Sequence, residues 1–447
     1  QDANNDGVVD VSYIEITKNQ ITNEKIQKID FIVENSKDDN TEFLSDVINQ
    51  SDEKNTGEVI ENIIEDNDNL VEGVVENLSD KDNKFLTTST SEGAELIKEK
   101  IFETIVAKET DKSAAILSKV MAKSDEATVL SVINNITEKN TNEESKLSLK
   151  VMADFSEKNP EKLETLAQNN ADQIDKLTIS AVEEAQSSQE DADLIAQVVA
   201  NASDDFANQI IGEVTKNSID ENQALSAKVM KSIVETTPDK VENLSDKNKE
   251  TMITQTIEAA KNQAEGTSTD EIDLSNTVAE IVSKSDLGTS TKVLETLNEV
   301  SGNSESKLSL NIFSNLTKQE NYEEQIEINS VTSLRFEEGI NKLTENAVSN
   351  ALSEEDLQKV EDVLENSKGT VGDKIINSAN NNEENKKKIK EIIIKVVEKN
   401  PEKAVEIIER NKNTNTVLEV VKSKIENNEA ITTDDFEDVF DTNVSPN

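Results

Sequence analysis

The sequence predicts an all-α fold, an elongated α-solenoid-like array of helical hairpins with a double repeat of about 78 residues. Three observations lead there. Leu or Ile followed four residues later by Val or Ile recurs along the chain in related local sequence. Strand signals are nearly missing, because alternating β-branched runs and Gly-containing hairpin turns hardly occur. Across 447 residues, 34% are apolar and 3% aromatic, too little bulky material for one deep core but enough for a thin stack.

The recurring pairs are Leu70/Val74, Ile116/Val120, Leu147/Val151, Leu194/Val198, Leu225/Val229, Leu274/Val278 and Leu308/Ile312. Their second members lie 46, 31, 47, 31, 49 and 34 residues apart, so long and short intervals alternate and the true unit spans 77 to 83 residues. Local words keep the same register. Lys-Val-Met occurs at 119–121, 150–152 and 228–230, and Glu-Ser-Lys-Leu-Ser-Leu at 144–149 and 305–310. Pro160 and Pro238 follow equivalent helices 78 residues apart, and Glu-Lys-Asn-Pro-Glu-Lys at 157–162 returns at 398–403.

Taken in order, residues 20–66 read as an N-terminal helical cap, 67–410 as the tandem repeats and 411–447 as a C-terminal cap and docking tail, after an N-terminal segment at 1–19. Each repeat element carries one apolar stripe at helical spacing, such as Leu225, Val229 and Ile233, with Lys, Glu, Asn and Ser opposite. Ser124-Asp125-Glu126 and Ser268-Thr269-Asp270-Glu271 open helices, because their side-chain oxygens accept from free first-turn N–H groups. Asn159-Pro160-Glu161 closes one helix and opens another, since Pro suits the first helical position. A short half of about 31 residues holds two helices; a long half of about 47 holds two longer ones or a third short one. The register blurs after Ile312, although Leu357, Val360, Leu364 and the Ile392–Ile407 stretch stay helical in pattern.

Composition removes much of enzyme chemistry. With no His and no Cys there is no Ser-His-Asp or Cys-His catalysis, no thiolate nucleophile and no Cys/His zinc site. Carboxylate pairs such as Glu143/Glu144 and Glu354/Glu355 are expected from composition alone, and no phosphate-cradling glycine loop is present. The chain therefore reads as non-catalytic. Against 46 basic residues stand 93 acidic ones, a net charge of −47 that repels nucleic acid. The run Lys386-Lys387-Lys388-Ile389-Lys390 reads as a solvated helix face, and Asp38-Asp39-Asn40, Asp66-Asn67-Asp68-Asn69 and Asp80-Lys81-Asp82 as helix caps before cation sites. Sequons at Asn77, Asn135, Asn201, Asn243 and Asn315 follow from abundant Asn and Ser. No apolar run approaches the ~20 residues of a membrane span.

Two terminal segments stand apart. Residues 2–13, beginning Asp2-Ala3-Asn4-Asn5-Asp6-Gly7-Val8-Val9-Asp10, resemble the calcium loop of EF-hand and dockerin modules. That resemblance implies Ca²⁺ held by Asp2, Asn4, Asp6, the Val8 carbonyl and Asp10, with Gly7 at the sharp turn. Tyr13 replaces the bidentate carboxylate of the pattern, which weakens the expected affinity, and Glu15 lies two residues too late. Near the other end Phe436, Val439 and Phe440 share one helical face, either docking on another subunit or folding back as a cap.

In composition and repeat texture the chain resembles acidic, cysteine-free bacterial surface proteins, including surface-layer proteins, and the helical regions of large FecR-domain proteins of marine bacteria. The resemblance implies an exported structural role at the cell surface or outside it, with a cell-surface anchor to match, and assigns no site residues. The expected function is assembly into a homopolymeric extracellular filament or surface layer, assisted by calcium. The alternative is a solenoid scaffold holding a protein or peptide partner, which would favour a stripe of aromatics or Arg that is nearly missing here. A start at Gln1-Asp2-Ala3-Asn4 reads as a processed chain or a piece of a longer one.

Overall fold

The computed structural model describes residues 40–400, apart from 52, 82, 90, 141–144, 187, 219–222, 267–272, 302–306, 320–330, 367–370 and 379–382, together with 423–424, 427, 429 and 432. The described residues form α-helices and short 3₁₀ turns and contain no strand, as the all-α reading requires. The chain divides into two compact units between Asn217 and Ser218.

The first unit runs through α1 (Thr41–Gln50), α2 (Glu53–Asp66), α3 (Val71–Asp80), α4 (Lys84–Thr87), α5 (Glu92–Val106), α6 (Asp111–Lys123), α7 (Glu126–Lys139), α8 (Leu147–Lys158), α9 (Pro160–Asn169), α10 (Ala171–Glu184), α11 (Gln189–Asn201) and α12 (Asp204–Asn217). Two layers follow from which helices touch. One layer packs α1 on α3, α3 on α6, α6 on α8 and α8 on α11; the other packs α2 on α5, α5 on α7, α7 on α10 and α10 on α12. The second unit holds α13 (Gln223–Thr236), α14 (Pro238–Asn243), α15 (Asp246–Ala264), α16 (Leu274–Lys284), α17 (Leu287–Ser301), α18 (Leu308–Leu316), α19 (Val331–Asn350), α20 (Glu354–Asn366), α21 (Val371–Ser378) and α22 (Glu383–Lys399). Its layers are α13, α16, α18, α20 and α22, and α15, α17, α19 and α21, again with each helix against the next of its own layer. Each unit is thus an α-solenoid-like stack of hairpins.

The apolar pairs mark the first layer. Of their members, all from Leu70 to Ile312 are buried except Leu194, which is half-buried. The reason for that exception is visible in α11, where Asp191 and Ile195 take the inward positions and rotate Leu194 toward the surface. The long half contains the third short helix: α4, α9 and α14 are inserted before α5, α10 and α15. The rhythm also continues beyond Ile312, with α20 opening at Glu354 and α22 at Glu383. It was hidden because α20 carries Asp356 and Val360 inward where an apolar pair was expected.

Local chemistry sets the ends of these helices. Asp125 caps α7 through Thr128 N at 2.9 Å, Ser91 caps α5 through Ala94 N at 3.2 Å, and Thr110 and Ser113 form a reciprocal capping box on α6. Pro160 and Pro238 take the first position of α9 and α14. The predicted start at 268–271 lies outside the described residues, and Asp273 caps α16 through Asn276 N at 3.1 Å. Asn67 heads a 3₁₀ turn with no side-chain cap, so that acidic cluster is not a cap. The core between the layers is Ile, Val, Leu and Ala with a few fully buried aromatics, Phe102, Phe155, Phe313 and Phe336. Each such aliphatic burial is worth about 1.5–3 kcal/mol before the entropy of ordering the chain is charged against it.

Gly339 marks a close approach of two second-layer helices. A Cβ there would stand 2.9 Å from Leu294 Cβ, so α19 can lie against α17 only without a side chain at that position. Gly339→Val is expected to lower the unfolding free energy by about 1–3 kcal/mol in chemical denaturation. Gly93→Ala, with nothing within 4 Å of its Cβ, should leave it unchanged or slightly raised. Equal effects at both positions would contradict the packing described.

Candidate functional site

The sequence points to two terminal sites, and both lie outside the described residues: Asp2, Asn4, Asp6, Val8 and Asp10 of the calcium-like loop, and Phe436, Val439 and Phe440 of the tail. What the described residues show instead is how the scarce cations are used. Lys81 reaches back from the end of α3 to Asp46 of α1 (2.6 Å), Lys100 of α5 to Glu61 of α2 (2.8 Å), and Lys150 of α8 to Asp111 of α6 (2.6 Å). In the second unit Lys292 of α17 meets Glu250 of α15 (2.9 Å), Lys284 of α16 meets Glu235 of α13 (3.2 Å) and Lys374 of α21 meets Glu337 of α19 (3.3 Å). Every one of these joins successive helices of the same layer. Asp80, read from sequence as part of a cap cluster, pairs with Lys119 of α6 in the same way. Glutamates at 354 and 355 sit in the first turn of α20, where they complement the helix dipole.

Two of the pairs are buried on the acidic side and equivalent in sequence. The two copies of Glu-Ser-Lys-Leu-Ser-Leu place Lys146 before α8 and Lys307 before α18. Lys146 Nζ lies 2.6 Å from Asp191 of α11, and Lys307 Nζ 2.8 Å from Asp356 of α20, each the next helix of that layer. Asp191 and Asp356 are both essentially inaccessible to solvent. Their backbone N–H groups donate to Ser188 and Ser353, so each acid also belongs to the cap of its own helix. Burial pushes the Asp356 carboxyl up, but the Lys307 ammonium and the hydroxyl and backbone N–H of Ser353 outweigh it and hold the group at about 2.

Glu184 plays the opposite part. It is buried at the end of α10 and accepts from Ser148 Oγ (2.5 Å), Leu149 N (3.1 Å) and Asn140 Nδ2 (2.7 Å). Lys146 holds the N-cap position of α8 in a left-handed conformation (φ 55°) with no side-chain cap bond. Glu184 therefore caps α8 from the neighbouring layer. Desolvation raises its pKa, and the donors from Ser148, Leu149 and Asn140 offset part of that rise. At the other helix end, Lys162 of α9 donates to the carbonyls of Met121 (2.7 Å), Ala122 (3.3 Å) and Ser124 at the C-terminus of α6, and burial lowers its pKa. None of these roles was readable from one sequence, since each joins an ordinary polar side chain to side-chain or backbone groups some 40 positions away. The one available signal was the repeated Lys-Leu-Ser-Leu word.

Open polar grooves lie between same-layer helices. One of about 490 Å³ is lined by Asp273, Asn311, Asn315, Lys318, Lys359 and Asp362, and another of about 490 Å³ lies between α5 and α7. Among the described residues, no three or more Asp or Glu side chains group so as to hold a metal ion, and no helix is long and apolar enough to cross a membrane. The Lys386–Lys390 run lies in α22 with Ile389 buried and Lys388 beside Glu384 at 3.4 Å.

No known protein family and no curated protein matches the chain. Among solved structures it is similar to a circular tandem repeat protein with novel repeat topology and enhanced subunit contact surfaces, at 15% identity over 93% of this chain and 94% of that one, with a TM-score of 0.26. A likeness that distant leaves the functional reading to the residues themselves.

Two acid–base experiments follow. Asp356 titrates lower in the fold than its ordinary 3.8, so its contribution is complete above pH 4 and is lost as pH falls toward 2. Asp356→Asn should cost about 2 kcal/mol at pH 7 in denaturant melts and flatten stability between pH 4 and 2 relative to wild type. Glu184 runs the other way. Its raised pKa means that stability is greatest with the proton bound and declines as pH rises through the folded-state value. Glu184→Gln, which keeps an acceptor, should remove that decline; an unaltered pH profile would refute the assignment.

Proposed function

We propose that this helical-repeat protein is a non-catalytic structural subunit that self-associates into an extracellular filament or surface layer, with Ca²⁺ assisting where acidic surfaces meet. The supporting observation is the contact between successive repeats. Helices bury an apolar stripe on the next helix of their layer, and several are also tied to it by Lys–carboxylate pairs such as Lys150–Asp111 and Lys292–Glu250. A contact in which one face meets a different face of the next unit is heterologous, and between subunits it gives an open polymer unless the rotation happens to close. Repeats already supply such faces within a chain.

Charge decides what else is needed. Subunits of net charge −47 repel until a cation screens or bridges them. The loop at Asp2–Asp10, with Asp2, Asn4, Asp6, the Val8 carbonyl and Asp10 as its oxygen donors, is the proposed calcium site, and the Phe436, Val439 and Phe440 face the proposed subunit contact. A scaffold that holds a protein or peptide partner is the second reading, favoured by the open grooves between same-layer helices.

Electron microscopy of native material separates the two directly: polymers for the first, discrete particles for the second. Adding excess chelator should dissolve or loosen the assembly, and removing residues 434–447 should abolish it while helical circular dichroism stays the same. Polymers that survive both treatments would overturn the calcium and tail assignments.

A further inference from the structure

The groove over α16, α18 and α20 holds a hydroxyl that the protein leaves unused. Ser314 of α18 lines it and is only 8% exposed. A helical serine buried to this degree ordinarily donates to the carbonyl four residues back, as Ser45 does to Thr41 (2.7 Å) and Ser301 to Leu297 (2.6 Å). The Ser314 hydroxyl has no partner among the described residues, yet it is not sealed from solvent, so its free side opens on the groove. Asn311 and Asn315 line the same face of α18, each tied to a different neighbour. Asn311 Oδ1 accepts from Lys359 Nζ of α20 at 3.1 Å, and Asn315 Nδ2 donates at 3.1 Å to Oδ2 of Asp273 at the head of α16. Those two bonds fix the amide orientations and leave the Asn311 amino group and the Asn315 oxygen unengaged. Lys318, one turn beyond Ser314, is exposed on the groove and enters no ion pair among the described residues.

These groups narrow the ligand. Lys318 and Lys359 call for an anionic end, and a carboxylate meets them with charge-assisted hydrogen bonds. Asp273 and Asp362 line the same groove, so a compact dianion such as phosphate would be repelled. Hydroxyl groups, by contrast, can donate to Asp273 and to Asn315 Oδ1 and accept from Asn311 and Ser314. Val363 is the one apolar side chain of the lining, which leaves little contact for hydrocarbon. A molecule with one carboxylate and several adjacent hydroxyls satisfies every group, and at about 490 Å³ the groove has the volume of a small-molecule site. We propose that this groove binds a sugar acid of the uronic type, its carboxylate on Lys318 and Lys359 and its hydroxyls on Ser314, Asn311, Asn315 and Asp273. The site lies within the second unit and stands independently of whether the chain polymerises.

The test is calorimetric titration of the full chain with galacturonate at physiological salt. One saturable site is expected, and neutral galactose should bind about tenfold more weakly for want of the carboxylate. Lys318→Gln should weaken galacturonate about tenfold and Ser314→Ala about fivefold. Lys387→Gln, which removes an equal charge from the exposed surface of α22, should leave it unchanged. Circular dichroism checks that the variants fold, and the exposed Lys318 decides the matter if Ser314→Ala does not. Trigalacturonate titrated alongside separates two sources of the same chemistry: equal affinity makes the free acid the ligand, tighter binding a unit of a polysaccharide, and either supports the site. No saturable binding of either, galactose bound as tightly as galacturonate, or equal weakening by Lys387→Gln would overturn it.

Discussion

The burial of one apolar stripe per helix against the next helix of its own layer is the constraint on which everything else here depends. A chain that is 34% apolar and carries 31% charged residues cannot fill a deep interior. In two layers each helix needs only a narrow inward face, and α6 supplies one with Ala114, Ile116, Leu117, Val120 and Met121. That face lies partly on its hairpin partner and partly on α3 and α8. A hairpin alone would leave much of it wet, and repeat stability is accordingly a sum of local terms and neighbour interfaces.

Electrostatics is arranged around that stacking rather than beside it. With two acidic residues for each basic one, random placement would leave most neighbouring faces repelling. Instead many of the lysines bridge consecutive same-layer helices, as in Lys81–Asp46 and Lys100–Glu61. Exposed pairs of this kind are each worth between nothing and about 1 kcal/mol. Their sum offsets repulsion more than it adds stability. Lys146–Asp191 and Lys307–Asp356 differ because their acids are inaccessible to solvent. Losing the lysine would strand a buried carboxylate, which makes these pairs costlier to break than the exposed ones.

Most of the fold was legible because apolar spacing reports burial directly. Val120, Val151, Val229 and Val278 stand where the alternating intervals place them, and every one is buried. The pattern faltered where a polar residue faces inward. Asp191 turned Leu194 outward, and Asp356 concealed the continuation of the repeat past Ile312. Partnerships such as Glu184 with Leu149, or Lys162 with the end of α6, were unreadable because they join residues that nothing in the local sequence pairs.

The most direct test of stacking is to excise a single double repeat, residues 111–184 (α6–α10), and compare its circular dichroism and denaturant melt with residues 71–217 (α3–α12). The account predicts that the shorter piece is largely unfolded, while the longer one folds cooperatively and gains stability with each added neighbour. A lone double repeat that melts as cooperatively as the longer piece, and with equal stability, would contradict it.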